Sequence, residues 1–370
     1  MAAGLLTASA KAQSFNVLYN FAGGLNDGAG PTGSLVDVGG VLYGMTPGGG
    51  SNKDGTIFSY NVGTGIETLN YSFVGYPNDA AVPFGSLTPS AGNNSILYGM
   101  TEAGGSTGGG AIIEFDTSTN SESVLGSFDT PNLSAPQGSL IQSGSTLFGL
   151  AGNIFSFNLD TGAIYQLYQF EGRPDAAPGP QGSLTLLGSV LYGLSGDGGA
   201  NGDGAIFSYN LTTNIENVIY SFKGGADGDE PLGSLTIVGH ILYGTTAAGG
   251  EVGTIFSYDL DTDQETVLVS NVGAPSGSLI YSNGDLYGTS DFGDVYQYDI
   301  ATGAFDILHK FDGKDGAQPG DLTLVGSTLF GMTRVGGAND DGDIYSITLP
   351  EPASTSMVFI ALGGLLLRRR

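Results

Sequence analysis

The chain of 370 residues carries 36 acidic and 10 basic side chains, a net charge of −26, and it contains no cysteine and no tryptophan. This charge disfavours nucleic acid and anionic membrane surfaces as partners. The absence of cysteine excludes disulfides, thiolate metal sites and cysteine nucleophiles.

The first residues, 1–12, resemble the back half of a secretory signal peptide. They are small and apolar, and Ala10-Lys11-Ala12 forms a small-x-small cleavage pattern that would make Gln13 the first mature residue. Because a basic start is missing, we expect a signal peptide that is truncated upstream or has a misassigned start. The alternative is a short disordered N-terminus.

A short phrase, Gly-Ser-Leu, recurs along the rest of the chain and sets its period. The copies begin at Gly33, Gly85, Gly138, Gly182, Gly233 and Gly277, and a Gly-Asp-Leu variant begins at Gly320. The steps between them are 52, 53, 44, 51, 44 and 43 residues. A fixed period of this size indicates a repeat architecture.

Each repeat contains four short apolar segments separated by turn residues. In the first repeat they begin at Gly33, Leu42, Gly55 and Glu67, and they are rich in Ile, Val, Phe and Tyr. This composition is typical of strands bounded by turns. Four strands in each 40–50-residue unit, repeated along the chain, predict an all-β propeller.

The strand count predicts how the ring closes. Seven first, second and third strands are present, but only six fourth strands follow a third strand, and residues 15–21 match the fourth-strand pattern. We therefore expect residues 13–349 to form a seven-bladed β-propeller of four-stranded antiparallel blades, in which residues 15–21 pair with residues 343–348. A linear β-solenoid is the alternative, and it explains the period but not the missing strand.

The repeats are similar to a known family. The succession of Gly-Ser-Leu, Leu-Tyr-Gly-Met-Thr, paired glycines and Gly-Thr-Ile-Phe resembles the tandem repeats called GloVer, over about residues 15–349. Such repeats occur in surface proteins with varied C-terminal anchors. The resemblance implies no particular activity.

The segment 350–370 differs abruptly in composition from the repeats. Pro350-Glu351-Pro352 is followed by an apolar run from Met357 to Leu367 and then by Arg368, Arg369 and Arg370. In these parts and their order the tail resembles the PEP-CTERM sorting signal of Gram-negative bacteria. The resemblance implies that a membrane-embedded exosortase recognises the Pro-Glu-Pro motif and processes the protein during export.

The apolar run suits a transient membrane association. It has 11 residues, against the roughly 20 of a comfortable transmembrane helix, and the arginines after it would act as a cytoplasmic stop-transfer signal. We expect a hydrophobic helix here that does not pack on the ring. An ordinary anchor without processing is the alternative.

Residues typical of catalysis are scarce. The two histidines, His240 and His309, fall in different repeats, and neither a nucleophile elbow nor a phosphate loop with lysine occurs. Nucleophilic, metal-hydrolase and phosphoryl-transfer mechanisms therefore lack their usual groups. Paired carboxylates remain conceivable because acidic residues are plentiful.

Acidic, glycine-rich loops are expected to share one face of the ring. The loops that precede the first strands and those between second and third strands emerge together in an up-and-down blade. Because Ca²⁺ takes several oxygen ligands from flexible loops, candidate ligands are Asp227, Asp229, Asp340, Asp341 and Asp343. Asp and Gly are also ordinary turn residues, and we favour that interpretation, with no cofactor required.

These features favour a non-enzymatic protein of the cell envelope or the extracellular (biofilm) matrix of a Gram-negative bacterium. It would bind a polysaccharide or a surface protein through loops on one face. One alternative is an extracellular carbohydrate-active enzyme with paired carboxylates near the propeller axis, and another is a structural matrix component without a specific ligand.

Overall fold

Four-stranded antiparallel sheets, arranged as seven blades around one axis, build the fold. The computed structural model describes residues 13–130, 132–170 and 180–350. In each blade the first strand is innermost and the fourth is outermost, so sequence order is radial order. The predicted seven-bladed propeller is confirmed.

The strands follow the repeats in chain order. Before and within blade 1 they are β1 (Ser14–Asn20), β2 (Gly28–Ala29), β3 (Thr32–Val38), β4 (Val41–Thr46), β5 (Gly48–Gly49), β6 (Thr56–Asn61) and β7 (Ile66–Ser72). Blade 2 has β8 (Ala80–Pro83), β9 (Thr88–Pro89), β10 (Ile96–Gly104), β11 (Ala111–Asp116) and β12 (Ser121–Ser127). Blade 3 has β13 (Ile141–Ser143), β14 (Thr146–Leu150), β15 (Ile154–Asn158) and β16 (Ala163–Tyr168).

The second half of the ring repeats this plan. Blade 4 has β17 (Pro180–Leu187), β18 (Val190–Ser195), β19 (Ala205–Asn210) and β20 (Ile215–Ser221). Blade 5 has β21 (Asp229–Val238), β22 (Ile241–Ala248), β23 (Thr254–Asp259) and β24 (Gln264–Val269). Blade 6 has β25 (Ile280–Ser282), β26 (Asp285–Ser290), β27 (Asp294–Asp299) and β28 (Phe305–Lys310), and blade 7 has β29 (Ala317–Pro319), β30 (Thr323–Val325), β31 (Thr328–Val335) and β32 (Asp343–Thr348) together with β1.

The core lies between the blades, because both faces of each sheet are covered by neighbours. Apolar clusters fill the seven junctions between successive blades in the described part of the ring. The second-strand leucine of every repeat is fully buried: Leu42, Leu97, Leu147, Leu191, Leu242, Leu286 and Leu329. Two residues later, a glycine leaves room for a third-strand side chain, as Gly44 does for Phe58 opposite it.

The N-terminal strand closes the ring as predicted. β1 pairs antiparallel with β32, from Ser14 opposite Thr348 to Asn20 opposite Asp343. Phe21, directly after β1, is fully buried in the cluster between blades 7 and 1. Closure removes the two exposed strand edges that an open ring would have.

The chain leaves the ring directly after β32. The backbone N–H of Leu349 donates to the carbonyl of Ser327 at 2.8 Å, and Pro350 is exposed. The predicted cleavage residues Ala10 and Ala12, the rest of the predicted sorting motif (Glu351 and Pro352) and the predicted helix Met357–Leu367 with its arginines lie outside the described residues. Within the described ranges, no helix has the length and apolar character to cross a bilayer, and the one helical segment there is the 3-10 turn Gly225–Asp227.

Candidate binding site on the propeller axis

A funnel of about 490 Å³ opens on the axis where the first strands begin. Its wall is built mainly from the Gly-Ser-Leu phrases and their Gly-Asp-Leu variant, since the glycine of all seven copies lines it. The residues that line it are Pro31–Gly33, Phe84, Gly85, Gln137–Ser139, Gly182, Ser183, Leu232–Ser234, Ser276–Ser278, Asp291, Gln318–Asp321 and Arg334. We call this cavity the axial funnel.

The glycines of the phrase bring neighbouring blades into close contact in the wall of the axial funnel. A β-carbon on Gly85, Gly138 or Gly182 would overlap the carbonyl group of the corresponding glycine in the next blade. These three glycines also have φ between +72° and +86°, a conformation that other residues rarely adopt. The phrase therefore needs glycine both for the close approach of neighbouring blades and for its backbone conformation.

The serines of the phrase link successive blades in a ring of hydrogen bonds. From blade 2 to blade 6, each serine hydroxyl accepts a hydrogen bond from the backbone N–H of the serine one blade earlier. The pairs are Ser34 N to Ser86 Oγ (2.7 Å), Ser86 N to Ser139 Oγ (2.9 Å), Ser139 N to Ser183 Oγ (2.7 Å), Ser183 N to Ser234 Oγ (2.9 Å) and Ser234 N to Ser278 Oγ (3.2 Å). Ser34 Oγ donates its proton to Ser86 Oγ at 2.9 Å, whereas the hydroxyls of Ser139, Ser183 and Ser234 act as acceptors in these bonds and each have a proton to donate.

The seventh repeat breaks this ring with a carboxylate. Asp321 takes the place of the serine, and its Oδ1 accepts the N–H of Ser278 at 2.6 Å, while Oδ2 lies 3.5 Å from the Ser278 hydroxyl. Asp321 is half-buried, and burial raises its pKa above the usual range of an aspartate, although the hydrogen bonds from Ser278 oppose the shift.

The rim of the axial funnel carries charged and aromatic side chains. Asp291 accepts a hydrogen bond from the hydroxyl of Ser276 at 2.8 Å, and Arg334 is exposed at the opening. Phe292, next to Asp291, is 59% exposed, and Tyr76, in a loop on the same face, is 63% exposed. Exposed aromatic rings beside polar groups can stack on flat, partly apolar ligands.

The two acidic loop sets do emerge on the same face as the axial funnel, as the sequence predicts. The N–H of Gly50, in a loop between second and third strands, donates to the carbonyl of Asp27, in a loop before a first strand. Gly28 and Gly49 from the same two loops pair as the short strands β2 and β5.

The aspartates of the loops before the first strands are engaged within the fold. Asp79 is 6% exposed and accepts the backbone N–H groups of Val74 and Ala80, both at 2.7 Å, as well as the Tyr71 hydroxyl at 3.0 Å. Asp27 and Asp227 make the same kinds of bonds in their loops. This geometry agrees with the interpretation of these residues as turn formers.

Behind this face, a tyrosine, an aspartate and a glutamate from the next blade meet at several junctions. The described groups are Tyr19–Asp27–Glu67, Tyr71–Asp79–Glu122 and Tyr220–Asp227–Glu265, with tyrosine–aspartate hydrogen bonds of 2.9, 3.0 and 2.7 Å. Burial and the neighbouring aspartate raise the pKa of Glu67 to about 7, of Glu122 to about 8 and of Glu265 to about 7. These glutamates therefore retain protons close to neutral pH.

Where the tyrosine is missing, the glutamate is missing as well. Gly126 occupies the tyrosine position of blade 2, and Ile164 packs beside it from blade 3. Val269 and Phe305 take the two positions between blades 5 and 6 and share one apolar cluster. Between blades 6 and 7, His309 bonds to Asp315 at 2.9 Å and stacks on Phe15, with ring centroids 3.6 Å apart.

The candidate Ca²⁺ ligands lie in different environments. Asp227 accepts the Tyr220 hydroxyl, Asp340 accepts the N–H of Gly336 at 3.0 Å, and Asp343 is fully buried with its pKa raised to about 6 by burial and by the charge of Asp315. Asp341 lies against Gly23, and Asp229 begins the first strand of blade 5. Among the described residues, no group of three or more His, Asp or Glu side chains could hold a metal ion, and Ca²⁺ binding by these loops stays a prediction.

Comparison with known proteins supports the repeat and the fold. The family model described as the Gloeobacter/Verrucomicrobia repeat matches residues 3–153 and 150–345, in agreement with the resemblance to GloVer repeats. No curated protein matches the chain.

Solved structures with similar architecture share little sequence with the chain. They include an oligogalacturonate lyase in complex with manganese (13% identity, TM-score 0.63, covering 93% of this chain and 99% of that one). They also include the oligogalacturonate lyase from Vibrio parahaemolyticus (11%, 0.61, 91% and 94%) and BamB from Moraxella catarrhalis (16%, 0.52, 85% and 96%). At these identities the likeness shows the fold alone.

Proposed function

We propose that this chain, which belongs to the Gloeobacter/Verrucomicrobia repeat family, is an exported surface protein that binds a neutral polysaccharide at the axial funnel without transforming it. The observation that carries the proposal is the set of hydroxyls of Ser139, Ser183 and Ser234, which line a cavity of about 490 Å³ and each accept a backbone N–H, so that each has a proton to donate to a ligand. Sugar hydroxyls are acceptors and donors that such a wall can match, and the exposed rings of Phe292 and Tyr76 supply apolar stacking surfaces.

The charge of the protein favours a neutral ligand. The chain has a net charge of −26, and both carboxylates in the wall, Asp291 and Asp321, add to the negative potential of the axial funnel. Arg334 is the only basic residue in the lining. A polyanion such as a uronic acid polymer would be repelled over the whole approach.

The path of the chain supports a surface role. The first strand of each blade begins at the axial funnel, and successive strands of a blade alternate in direction. The third strand therefore also runs away from the axial funnel. β32, the third strand of blade 7, ends at the opposite face. Pro350, where the sorting motif begins, therefore starts from the face opposite the axial funnel. A tail that holds the protein at a membrane would leave the axial funnel directed away from that membrane.

Replacement of Phe292 by Ala is expected to weaken polysaccharide binding about 10-fold or more, since an aromatic anchor commonly contributes over 1 kcal/mol. The measurement is titration calorimetry with neutral glucans and xylans, chosen after a glycan array of the purified ring. Tyr165→Ala is the matched control, because Tyr165 is also 59% exposed but lies on the outer strand of blade 3. Equal loss in both variants, or undiminished binding by Phe292→Ala, would contradict the proposed location.

Processing of the tail is tested on the exported protein from its native host. We expect mass spectrometry to find a mature C-terminus that lacks Leu367 and Arg370. Glu351→Gln is expected to block release while the purified variant melts like the wild type, because the motif follows the last strand of the ring. A mature protein that still carries Arg370 would favour an ordinary anchor.

The enzymatic alternative retains one observation in its favour, since Asp291 and Asp321 both line the axial funnel. Two carboxylates in one pocket can act as acid and base on a glycosidic bond. Release of reducing ends from a bound polysaccharide, abolished in both Asp291→Asn and Asp321→Asn, would establish that alternative and overturn the non-enzymatic proposal.

A further inference from the structure

The wall of the axial funnel is continuous around the axis. The glycine of each phrase lies against the phrase of the next blade, from Gly33 beside Gly85 round to Gly320 beside Gly33. Between blades 6 and 7 the corresponding contact runs from Gly277 to Asp321. At the level of these phrases the described blades therefore leave no lateral opening, and a ligand can enter only along the axis.

This shape limits which part of a polysaccharide can be bound. A cavity of about 490 Å³ holds a ligand of drug-like size, which corresponds to a short segment of a sugar chain. An internal segment lying across the axis would need two lateral exits, because the chain continues from it in both directions. A chain end needs only the axial opening.

The wall also differs in chemistry from one sector to another. Blade 2 contributes the half-buried aromatic ring of Phe84. Blades 6 and 7 contribute the carboxylates of Asp291 and Asp321. Blades 3, 4 and 5 contribute hydroxyls with protons to donate: Ser139, Ser183 and Ser234. A ligand therefore meets an aromatic surface, hydrogen-bond donors and hydrogen-bond acceptors at different points around the axis.

Asp321 adds acceptor capacity to the repeat pattern. Its Oδ1 accepts the N–H of Ser278 at 2.6 Å, as the Ser278 hydroxyl accepts the N–H of Ser234 one blade earlier. Among the described residues, the hydrogen-bond partner of Oδ2 is the Ser278 hydroxyl at 3.5 Å, which is longer than a usual O–H···O bond. The exchange of serine for aspartate thus keeps the link between blades and adds a charged acceptor with lone pairs for a ligand.

We propose that the axial funnel binds the end of a polysaccharide chain rather than an internal segment, and that Asp321 fixes the orientation of the terminal sugar by accepting a hydrogen bond from one of its hydroxyls. The inference rests on the proposed function and adds to it the part of the polymer that is recognised. The serine hydroxyls donate to other oxygens of the same sugar, and the ring of Phe84 packs on its apolar face. Because a carboxylate only accepts hydrogen bonds, an epimer whose hydroxyl points away from Asp321 loses this bond.

Calorimetry with one polymer at two chain lengths tests end recognition. The probe is the neutral glucan or xylan that binds the purified protein most tightly, used intact and after partial hydrolysis to fragments that still fill the axial funnel. At equal sugar mass, the number of binding sites should rise in proportion to the number of chain ends, with the same affinity for each end. Equal numbers of sites would overturn end recognition and leave polysaccharide binding in place. The absence of binding by every glucan and xylan would refute the proposed function and this inference with it.

Replacement of Asp321 by Ser tests the orientation of the terminal sugar. The variant carries the residue of the other six repeats, so it should fold and keep the link to Ser278. Its affinity for chain ends should fall about 10-fold or more. It should also discriminate less between oligosaccharides that end in glucose, galactose or mannose, whereas a merely structural defect would lower these affinities by one common factor. The control is Asp340→Asn, which removes an exposed loop carboxylate and should bind like the wild type.

Two results would overturn the role of Asp321. One is undiminished affinity or unchanged discrimination in Asp321→Ser, and the other is an equal loss in Asp340→Asn, since the cause would then be the net charge. Circular dichroism shows whether Asp321→Ser is folded. If it is not, Asp321→Asn, which keeps the size of the side chain, replaces it in the same measurements.

Discussion

Removal of residues 15–21 is expected to unfold the whole propeller. The deletion takes away β1, leaves β32 as an open edge and removes Phe21 from the cluster between blades 7 and 1. Truncation of one buried Phe commonly costs about 3–5 kcal/mol, and the segment also contributes Phe15, Leu18 and Tyr19. The combined loss is comparable with the roughly 5–15 kcal/mol by which a domain is usually stable.

Circular dichroism and thermal melts of the deletion variant measure this effect. We expect no cooperative transition above room temperature and an expanded hydrodynamic radius. Deletion of residues 1–12 is the control and should melt like the full chain, because the ring begins with β1. The single variant Phe21→Ala should fold and lose about 3–5 kcal/mol. A deletion variant that melted cooperatively at the wild-type temperature would refute closure by β1 as a source of stability.

Acidification from about pH 8.5 to about pH 5.5 is expected to stabilise the propeller, whereas many proteins lose stability in that direction. Burial beside an aspartate raises the pKa of Glu122 from 4.5 to about 8, and the pKa values of Glu67 and Glu265 to about 7. The folded state therefore binds more protons than the unfolded chain above pH 4.5. The stabilisation from these protonated glutamates is complete below the pKa of about 4.5 that they have in the unfolded chain. It is lost as the pH rises through their folded-state pKa values of about 7 and 8.

Glu122→Gln isolates one of these groups. The glutamine cannot ionise, so at about pH 8.5 the variant should be more stable than the wild type by about 1–2 kcal/mol, a value that allows for partial screening by water. At about pH 5.5 the difference should be clearly smaller, because that pH lies only about one unit above the pKa of the unfolded chain. The measurement is urea unfolding at both pH values.

Glu251→Gln is the matched control, because it removes the same charge from an exposed position. It should leave the pH dependence of the free energy of unfolding unchanged. If both variants flattened that dependence equally, the cause would be the overall net charge rather than the junction glutamates.

The architecture could be predicted from the sequence because its signals are repeated. The glycine of the phrase recurs at the start of every first strand for a steric reason, since positions such as Gly85 and Gly182 have no space for a β-carbon. The closure by β1 could be predicted because no fourth strand follows the last third strand, whereas an additional segment with the fourth-strand pattern precedes the first repeat. A single copy of the repeat carries much less information than the spacing of all of them.

The candidate site could be predicted only in part. The sequence predicts that acidic loops share one face, and it marks Asp321 as a variant of the phrase, but it does not reveal that the serines form a ring of hydrogen bonds. Burial and Asp79 raise the pKa of Glu122, while the hydrogen bond with Tyr71 opposes the shift, and no local pattern encodes this contact between two blades.

The position of β32 within blade 7 has a mechanical consequence. The strand that leads into the tail is not an outer edge, because six residue pairs join it to β31 and six join it to β1. A pulling force on Pro350, as a tethered protein would feel in flowing liquid, therefore loads two ladders at once. Pulling β32 out of the ring would require both sets of hydrogen bonds to break. β1, the strand that closes the ring, therefore also strengthens the point from which the tail leaves.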